Sequence, residues 1–387
     1  MACENQLIYF DNAATTMVKP ETVTKAVCDA IETFGGVGRG VHGPALAASM
    51  AVFEARERVA HLLGAESPAC IAFSANATEA LNIAISGLLR PGDHAITTAA
   101  SHNSILRPLY REQQQGIELS IAPIGLDGSL DYEAFAQLFR SNTRAVFVTH
   151  ASNLTGDMYD IDRLASLCHQ HGALIIVDAA QTAGSVPITV TDVALDVLVF
   201  TGHKGLYGPQ GTGGLYVSPA VEIEHYLVGG SGTQSHNTVH PTAMPERLEA
   251  GTMNGHGLAG LAAGVAFVEE LGVESIEAHI QSLADRFRVG LQELDAVRIY
   301  GGGSGKQCGI VALSVEGVDA GTVADVLYRT FGICTRAGAH CAPLMHDALR
   351  TADRSAVRFS FSCFNNEKEI ESALGALRYC VEHLLHR

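Results

Sequence analysis

Basic residues are scarce: the chain carries 25 lysines and arginines against 41 acidic residues, a formal charge of −16 over 387 residues. No basic cluster or basic helix face offsets that balance, which argues against nucleic acid or an anionic membrane surface as a partner. Long hydrophobic runs are missing as well. No uninterrupted apolar stretch approaches the roughly 18 residues of a membrane helix, and the opening MACENQLIYFDNAATT lacks the basic-then-apolar order of a secretory leader. The expected location is the cytosol. The nine cysteines (Cys3, Cys28, Cys70, Cys168, Cys308, Cys334, Cys341, Cys363 and Cys380) are odd in number and contain no C-x-x-C pair. That excludes a disulfide framework and leaves room for a thiol kept reduced for a purpose. Glycine is plentiful, yet GGVGRG and GPQGTGG fail the G-x-G-x-x-G spacing, and GGGSGKQ lacks the first glycine and the hydroxyl residue of a P-loop. Nucleotide binding therefore has no support.

With 47% hydrophobic and only 17% charged residues, much of the chain is destined for a core or a subunit interface. Its length allows two ordinary domains. The runs CIAFSA, HAITTA, IELSIAPI, RAVFVTHA, ALIIVDAA and DVLVFTG are short and rich in Ile, Val and Ala, as buried parallel strands are. Helical patterns lie between several of them. The clearest is DIDRLASLCHQHG, where Ile161, Leu164, Ala165 and Cys168 fall on one face, Asp160 suits the N-cap and Gly172 the C-terminal cap. Strands alternating with helices predict an α/β domain over residues 16–255, its sheet covered on both faces. From residue 256 to 387 the pattern changes to a smaller α+β domain, with residues 1–15 expected to pack back on it as an N-terminal arm.

Open α/β sheets bind ligands at the carboxyl ends of their strands, and three such ends carry chemistry. In SANATEALN, Asn76 and Glu79 have capping-box spacing and Thr78 falls in the first helical turn. This is either a plain cap or a phosphate site made by the helix terminus. In LIIVDAAQTAG, Asp178 ends an apolar strand and Gln181 follows. A carboxyl there caps a turn, meets a cation or stays protonated. In VFTGHKG, Thr201, His203 and Lys204 end the next strand. Lys204 is either a solvated turn residue or an amine whose pKa burial lowers, making it a nucleophile for a carbonyl. Phosphate, pyridinium nitrogen and aldehyde are the three groups that pyridoxal 5'-phosphate asks a protein to meet.

DAAQTAG followed by the lysine of TGHKGLYGPQGTGGLYV, with YFDNAATT, ASHNS, EAGTMN and TRAGAHCAPL elsewhere, resembles the class V aminotransferase family of fold-type I pyridoxal-phosphate enzymes. Within it the chain resembles the cysteine desulfurases, in the branch whose R-x-G-x-H-C-A loop is shared with bacterial selenocysteine lyases. The resemblance spans nearly the whole chain. It implies a large mixed, mostly parallel seven-stranded sheet domain, a smaller α+β C-terminal domain carrying the cysteine loop, and a homodimer. It also implies Lys204 as Schiff-base lysine, Asp178 as partner of the ring nitrogen, Gln181 on the ring oxygen and His102 stacked on the ring. Ala77, Thr78, Thr201 and His203 would form the phosphate cup, with Thr252 reaching it from a partner subunit. Asn153 and Arg358 would take the substrate carboxylate, and Cys341 the sulfur, with Arg336 or a protonated His340 as nearby cations.

The sequence departs from relatives at Ala77, where a second hydroxyl residue is common, and at Thr201, where serine is. Cys334, His340, Cys341 and His346 match no standard zinc spacing, so no metal is expected. Two plainer readings remain: a buried inert thiol for Cys341 and a surface ion pair for Arg358. The activity implied is conversion of L-cysteine or L-selenocysteine to L-alanine, the sulfur passing to a Cys341 persulfide and on to an acceptor protein. A C–S β-lyase giving pyruvate, ammonia and sulfide, and a transaminase, are the rivals.

Overall fold

The computed structural model describes residues 7–38, 40–353 and 355–384. The first six residues of the expected arm, Cys3 among them, lie outside them. A short strand β1 (Ile8–Tyr9) comes first. The main sheet is built from β2 (Ile71–Ser74), β3 (His94–Thr98), β4 (Glu118–Ala122), β5 (Thr143–Thr149), β6 (Leu174–Asp178), β7 (Val197–Thr201) and β8 (Gly213–Val217). Their order across the sheet is β2-β8-β7-β6-β5-β3-β4, and only β8 runs against the rest. The second sheet is antiparallel: β9 (Val297–Tyr300), β10 (Ile310–Val315), β12 (Arg336–Gly338) and β13 (Ala356–Ser360), ordered β12-β13-β10-β9. The two-residue β11 (Ile333–Cys334) pairs in parallel with β1, so the described part of the arm does lie on the C-terminal unit.

Eleven helices complete the chain among the described residues: α1 (Glu21–Thr33), α2 (Gly43–Leu63), α3 (Ala77–Leu88), α4 (Asn103–Gln114), α5 (Tyr132–Ala136) and α6 (Ile161–Gln170), then α7 (Gly255–Leu271), α8 (Val273–Leu291), α9 (Ala320–Phe331), α10 (Pro343–Ala348) and α11 (Glu367–Leu384). Helix α6 matches its sequence pattern closely. Ile161, Leu164, Ala165 and Cys168 are its buried residues, Asp160 accepts the Arg163 N–H, and Gly172 follows the end with φ +69°.

The six apolar runs become β2 to β7, each predicted end within a residue or two of the observed one. Strand β8 was not legible in the sequence. Its sequence, GGLYV, opens with glycines that have low strand preference, but the packing demands them: a Cβ on Gly214 would come within 2.4 Å of the Ala72 carbonyl oxygen and 2.7 Å of the Phe200 ring. The boundary read at residue 255 falls at the start of α7. That helix sends Leu258, Leu261, Ala262 and Val265 into the core beneath the main sheet, while Phe267 and Val268 pack against the second core. Helix α7 thus contributes to both cores and meets α8 at 79°. The second core is aromatic, with Phe10 from the arm packed among Phe287, Phe359 and Phe361.

Candidate active site

The parallel strands β5, β6 and β7 end side by side, so Thr149, Asp178 and Thr201 emerge at one edge. They open into a cavity of about 220 Å³ that Thr78, Ala77, His102, Asn153, Gln181, His203, Lys204, Arg336, His340 and Arg358 also line. Every candidate residue except Thr252 and Cys341 is therefore brought to one place, at the strand ends where an α/β sheet holds its ligand.

Lys204 follows β7 by a two-residue turn and is partly buried. Burial holds its amine down to about 8; Asp178 pulls it upward, Arg358 and Arg336 push it further down, and Asp11 pulls weakly upward. Its surroundings therefore differ from those of a solvated turn lysine. Asp178 is buried, which raises its carboxyl, while the Ala180 N–H donated to Oδ1 at 2.9 Å and the Lys204 charge lower it. One carboxylate oxygen thus caps a turn, so that plain reading holds alongside the functional one. Gln181 donates Nε2–H to the Ala13 carbonyl at 3.2 Å.

At the opposite wall, α3 begins with Asn76 accepting the Glu79 N–H at 3.0 Å, while Glu79 accepts from Ala75 N at 2.6 Å. The reciprocal bond is therefore made one residue earlier than in a standard capping box. Thr78 Oγ1 pairs with Ser104 Oγ at 2.7 Å, and Ser104 pairs with His102 Nδ1 at 2.9 Å. His102 is itself the N-cap of α4, its Nδ1 accepting the Ser104 N–H at 3.0 Å. That bond puts the neutral ring's proton on Nε2. Burial, then the charges of Lys204, Arg336, Arg358 and Arg107, lower His102 to about 4. His203, lowered to about 4 chiefly by burial and then by Lys204 and Lys19, pairs through Nδ1 with Thr15 Oγ1 at 3.0 Å. It too is a neutral donor near pH 7.

The carboxylate end is built across the two sheets. Arg358 on β13 is 1% exposed, so it is no surface ion pair. Its Nη1 donates to the Asn153 carbonyl and its Nη2 to Asp11, both at 2.8 Å, and its Nε has no partner. Asn153 donates Nδ2–H to the His340 carbonyl at 2.6 Å and leaves Oδ1 unpaired. Arg336 on β12 stands directly opposite Arg358 in the ladder. Like charges in register destabilise a sheet, and a carboxylate bound beside the pair would offset that repulsion.

Cys341 is exposed, so the inert buried thiol is ruled out. Its carbonyl accepts the Asn103 N–H at 2.8 Å, seating the cysteine loop on the first residue of α4, beside His102. His340 and Cys341 both hold positive φ, +51° and +56°, a conformation uncommon outside glycine. The expected protonated His340 is corrected. Burial, with Arg358 next, lowers it to about 3, and its Nε2 donates to the Arg336 carbonyl at 3.0 Å. Arg336 remains as the cation. Thr252 is exposed and borders separate cavities with Glu249, Gly251 and Met253; within one chain it does not line the Lys204 cavity. The sequence reading missed Ser104, Thr15, Thr16 and Asp11. YFDNAATT carried the last three as a motif, but nothing in its local pattern says that it ends on Lys204.

The aminotransferase class-V family model matches residues 8–373. This chain belongs to that family. It is 32% identical to a probable cysteine desulfurase of Methanothermobacter thermautotrophicus over 94% of this chain and 92% of that protein. It is 33% identical to a cysteine desulfurase of Haloferax volcanii, over 96% and 88% of the respective chains. The apo structure of a cysteine desulfurase from Thermococcus onnurineus NA1 superposes with a TM-score of 0.90 at 33% identity, covering 98% of this chain and 95% of that one. The family's cofactor is pyridoxal 5'-phosphate, and the residues fit it. Thr201 Oγ1 is buried at the cavity wall without a partner, as a phosphate ligand would be. The two neutral histidines, the acid at a strand end and the lowered lysine meet its remaining groups.

Proposed function

We propose that the protein is a pyridoxal-phosphate-dependent cysteine desulfurase that converts L-cysteine to L-alanine and carries the sulfur away on Cys341. The observation that carries this reading is an exposed Cys341 whose carbonyl accepts the Asn103 N–H and whose chain neighbour His340 lines the cavity shared by Lys204 and Arg358. Bound cofactor supplies an electron sink for the substrate's Cα. The chain's own groups do the rest. Arg358 and Asn153 would hold the carboxylate, Asp178 would face the ring nitrogen, and Lys204, whose amine burial lowers, would take and return protons at Cα.

Cys341 thiolate then attacks the substrate sulfur. The S–S bond forms, the Cβ–S bond breaks, its electron pair stays with carbon, and a proton added at Cβ completes alanine. Attack at sulfur leaves the persulfide on an exposed residue, which suits delivery to an acceptor protein. L-selenocysteine is a second substrate in this reading, since selenium departs with less help. The same reading places the enzyme in the cytosol, in keeping with eight free thiols among the described residues.

We read the working unit as a homodimer, because the family resemblance assigns Thr252 to the phosphate cup while Thr252 stands apart from its own chain's cavity. Incubation with L-cysteine, with products and adducts measured, tests the whole. Alanine should form and the added sulfur should map to Cys341. Cys341→Ala should lose alanine formation, keep the cofactor's absorbance and retain part of its activity on selenocysteine. Full alanine formation by that variant overturns the persulfide step, and pyruvate as the main product points to a lyase.

A further inference from the structure

The segment Phe10–Lys19 joins the two halves of the site. At one end the Asp11 carboxylate accepts from Arg358 Nη2 at 2.8 Å. Asn12 Nδ2 and Ala13 N then fasten the segment to Ser360, through its carbonyl and its Oγ, both at 2.8 Å. At the other end Thr16 N and Oγ1, both at 3.1 Å, and Lys19 Nζ at 3.0 Å converge on the His203 carbonyl, and Thr16 Oγ1 reaches the Lys204 carbonyl at 3.3 Å. Arg358 comes from the second sheet and Lys204 from the first, far apart in sequence. Between them this segment ties the arginine to the backbone of the lysine.

We infer that Asp11 is a positioning residue that orients the Arg358 guanidinium and, through the segment Phe10–Lys19, sets its distance from Lys204, so that the site selects substrates whose amino and carboxylate groups share one carbon. The inference rests on the reading of Arg358 as the carboxylate group. Physically, Arg358 has three faces to satisfy. The Asn153 carbonyl takes Nη1 and Asp11 takes Nη2, while Nε is buried without a protein partner. Without Asp11 the guanidinium is free to rotate away from that presentation. A displacement of about 1 Å in a positioning group costs up to about a hundredfold in rate or binding. The charge of Asp11 also acts at Lys204, where it weakly opposes the lowering caused by burial.

The test uses the cofactor-loaded enzyme and Asp11→Asn, which keeps shape and loses charge. The expected result is an L-cysteine KM raised about tenfold with kcat within about threefold of native and an unchanged cofactor spectrum. Competitive inhibition by L-alanine and by β-alanine reads the spacing: the native preference for L-alanine should shrink in the variant. A KM within twofold of native, a fall in kcat at unchanged KM, or equal weakening of both inhibitors overturns the inference. Arg358→Lys separates the two levels. If it leaves KM unchanged, the carboxylate reading itself fails; if it raises KM while Asp11→Asn does not, only the role of Asp11 fails. Should Asp11→Asn not fold, Asn12→Ala removes one of the segment's bonds to Ser360 and loosens it with the charge in place. It should raise KM in the same way, and an unchanged KM overturns the inference.

Discussion

A lysine amine held near 8 differs from a solvated one in which pH window it loses its proton. Lys204 binds fewer protons in the folded chain than in the unfolded chain between about 8 and the ordinary lysine value of 10.5. In the cofactor-free protein, therefore, its contribution to stability rises as pH climbs through that window and is flat below it. The sharper readout is reactivity. Labelling with an amine-directed acylating reagent, mapped by peptide mass spectrometry, should rise about tenfold per pH unit up to about 8 at Lys204 and then level off. An amine at the ordinary lysine value of 10.5 would keep rising well beyond that point. If labelling of Lys204 rises past about 8 without levelling, burial does not act on the amine. His102 gives a second check: its ring should stay neutral with the proton on Nε2 from pH 6 to 9, which nitrogen NMR reads directly.

At the scale of an element, some parts of this fold tolerate change and others do not, and the difference is what surrounds them. Helix α6 stands on a local signal. Asp160→Ala removes one capping bond to Arg163 N and should cost about 1 kcal/mol in urea unfolding. Strand β8 has no slack. Gly214→Ala drives a methyl group against the Ala72 carbonyl and the Phe200 ring, and should cost about 1–3 kcal/mol. Because β8 is the partner of β7, which delivers Lys204, that change should also loosen cofactor binding. The Asp160 change should not, since α6 lies outside the cavity lining.

For the molecule as a whole, the homodimer reading makes a mass prediction. Light scattering after size-exclusion chromatography should give about twice the 40.8 kDa of one chain. If Thr252 serves a neighbouring subunit, dilution to monomer should release cofactor, and Thr252→Val should weaken cofactor binding with the dimer intact. A dimer whose cofactor affinity ignores Thr252 separates the oligomer from that role. Loss of affinity only on Lys204 or Asp178 replacement would place the whole cofactor site within one chain.

The sequence by itself determined the order of elements, the six strands of alternating α/β pattern and the chemistry standing at their ends, because those signals are local. An apolar run covered on both faces is Val- and Ile-rich whatever its neighbours, and a cap needs only its own turn. That is why α6 and the strand-end positions of Asp178 and Lys204 could be read from local pattern, whereas their roles and the cysteine loop came from the family resemblance. Only the tertiary structure decided the rest. Strand β8 exists because two glycines meet other strands' backbones. His340 is neutral because folding buries it beside Arg358, against the reading of a protonated histidine next to Cys341. Ser104 meets Thr78, 26 residues away, and Asp11 meets Arg358 from the far end of the chain. Burial and charge proximity are sums over space, and a one-dimensional pattern records only the neighbours along the chain.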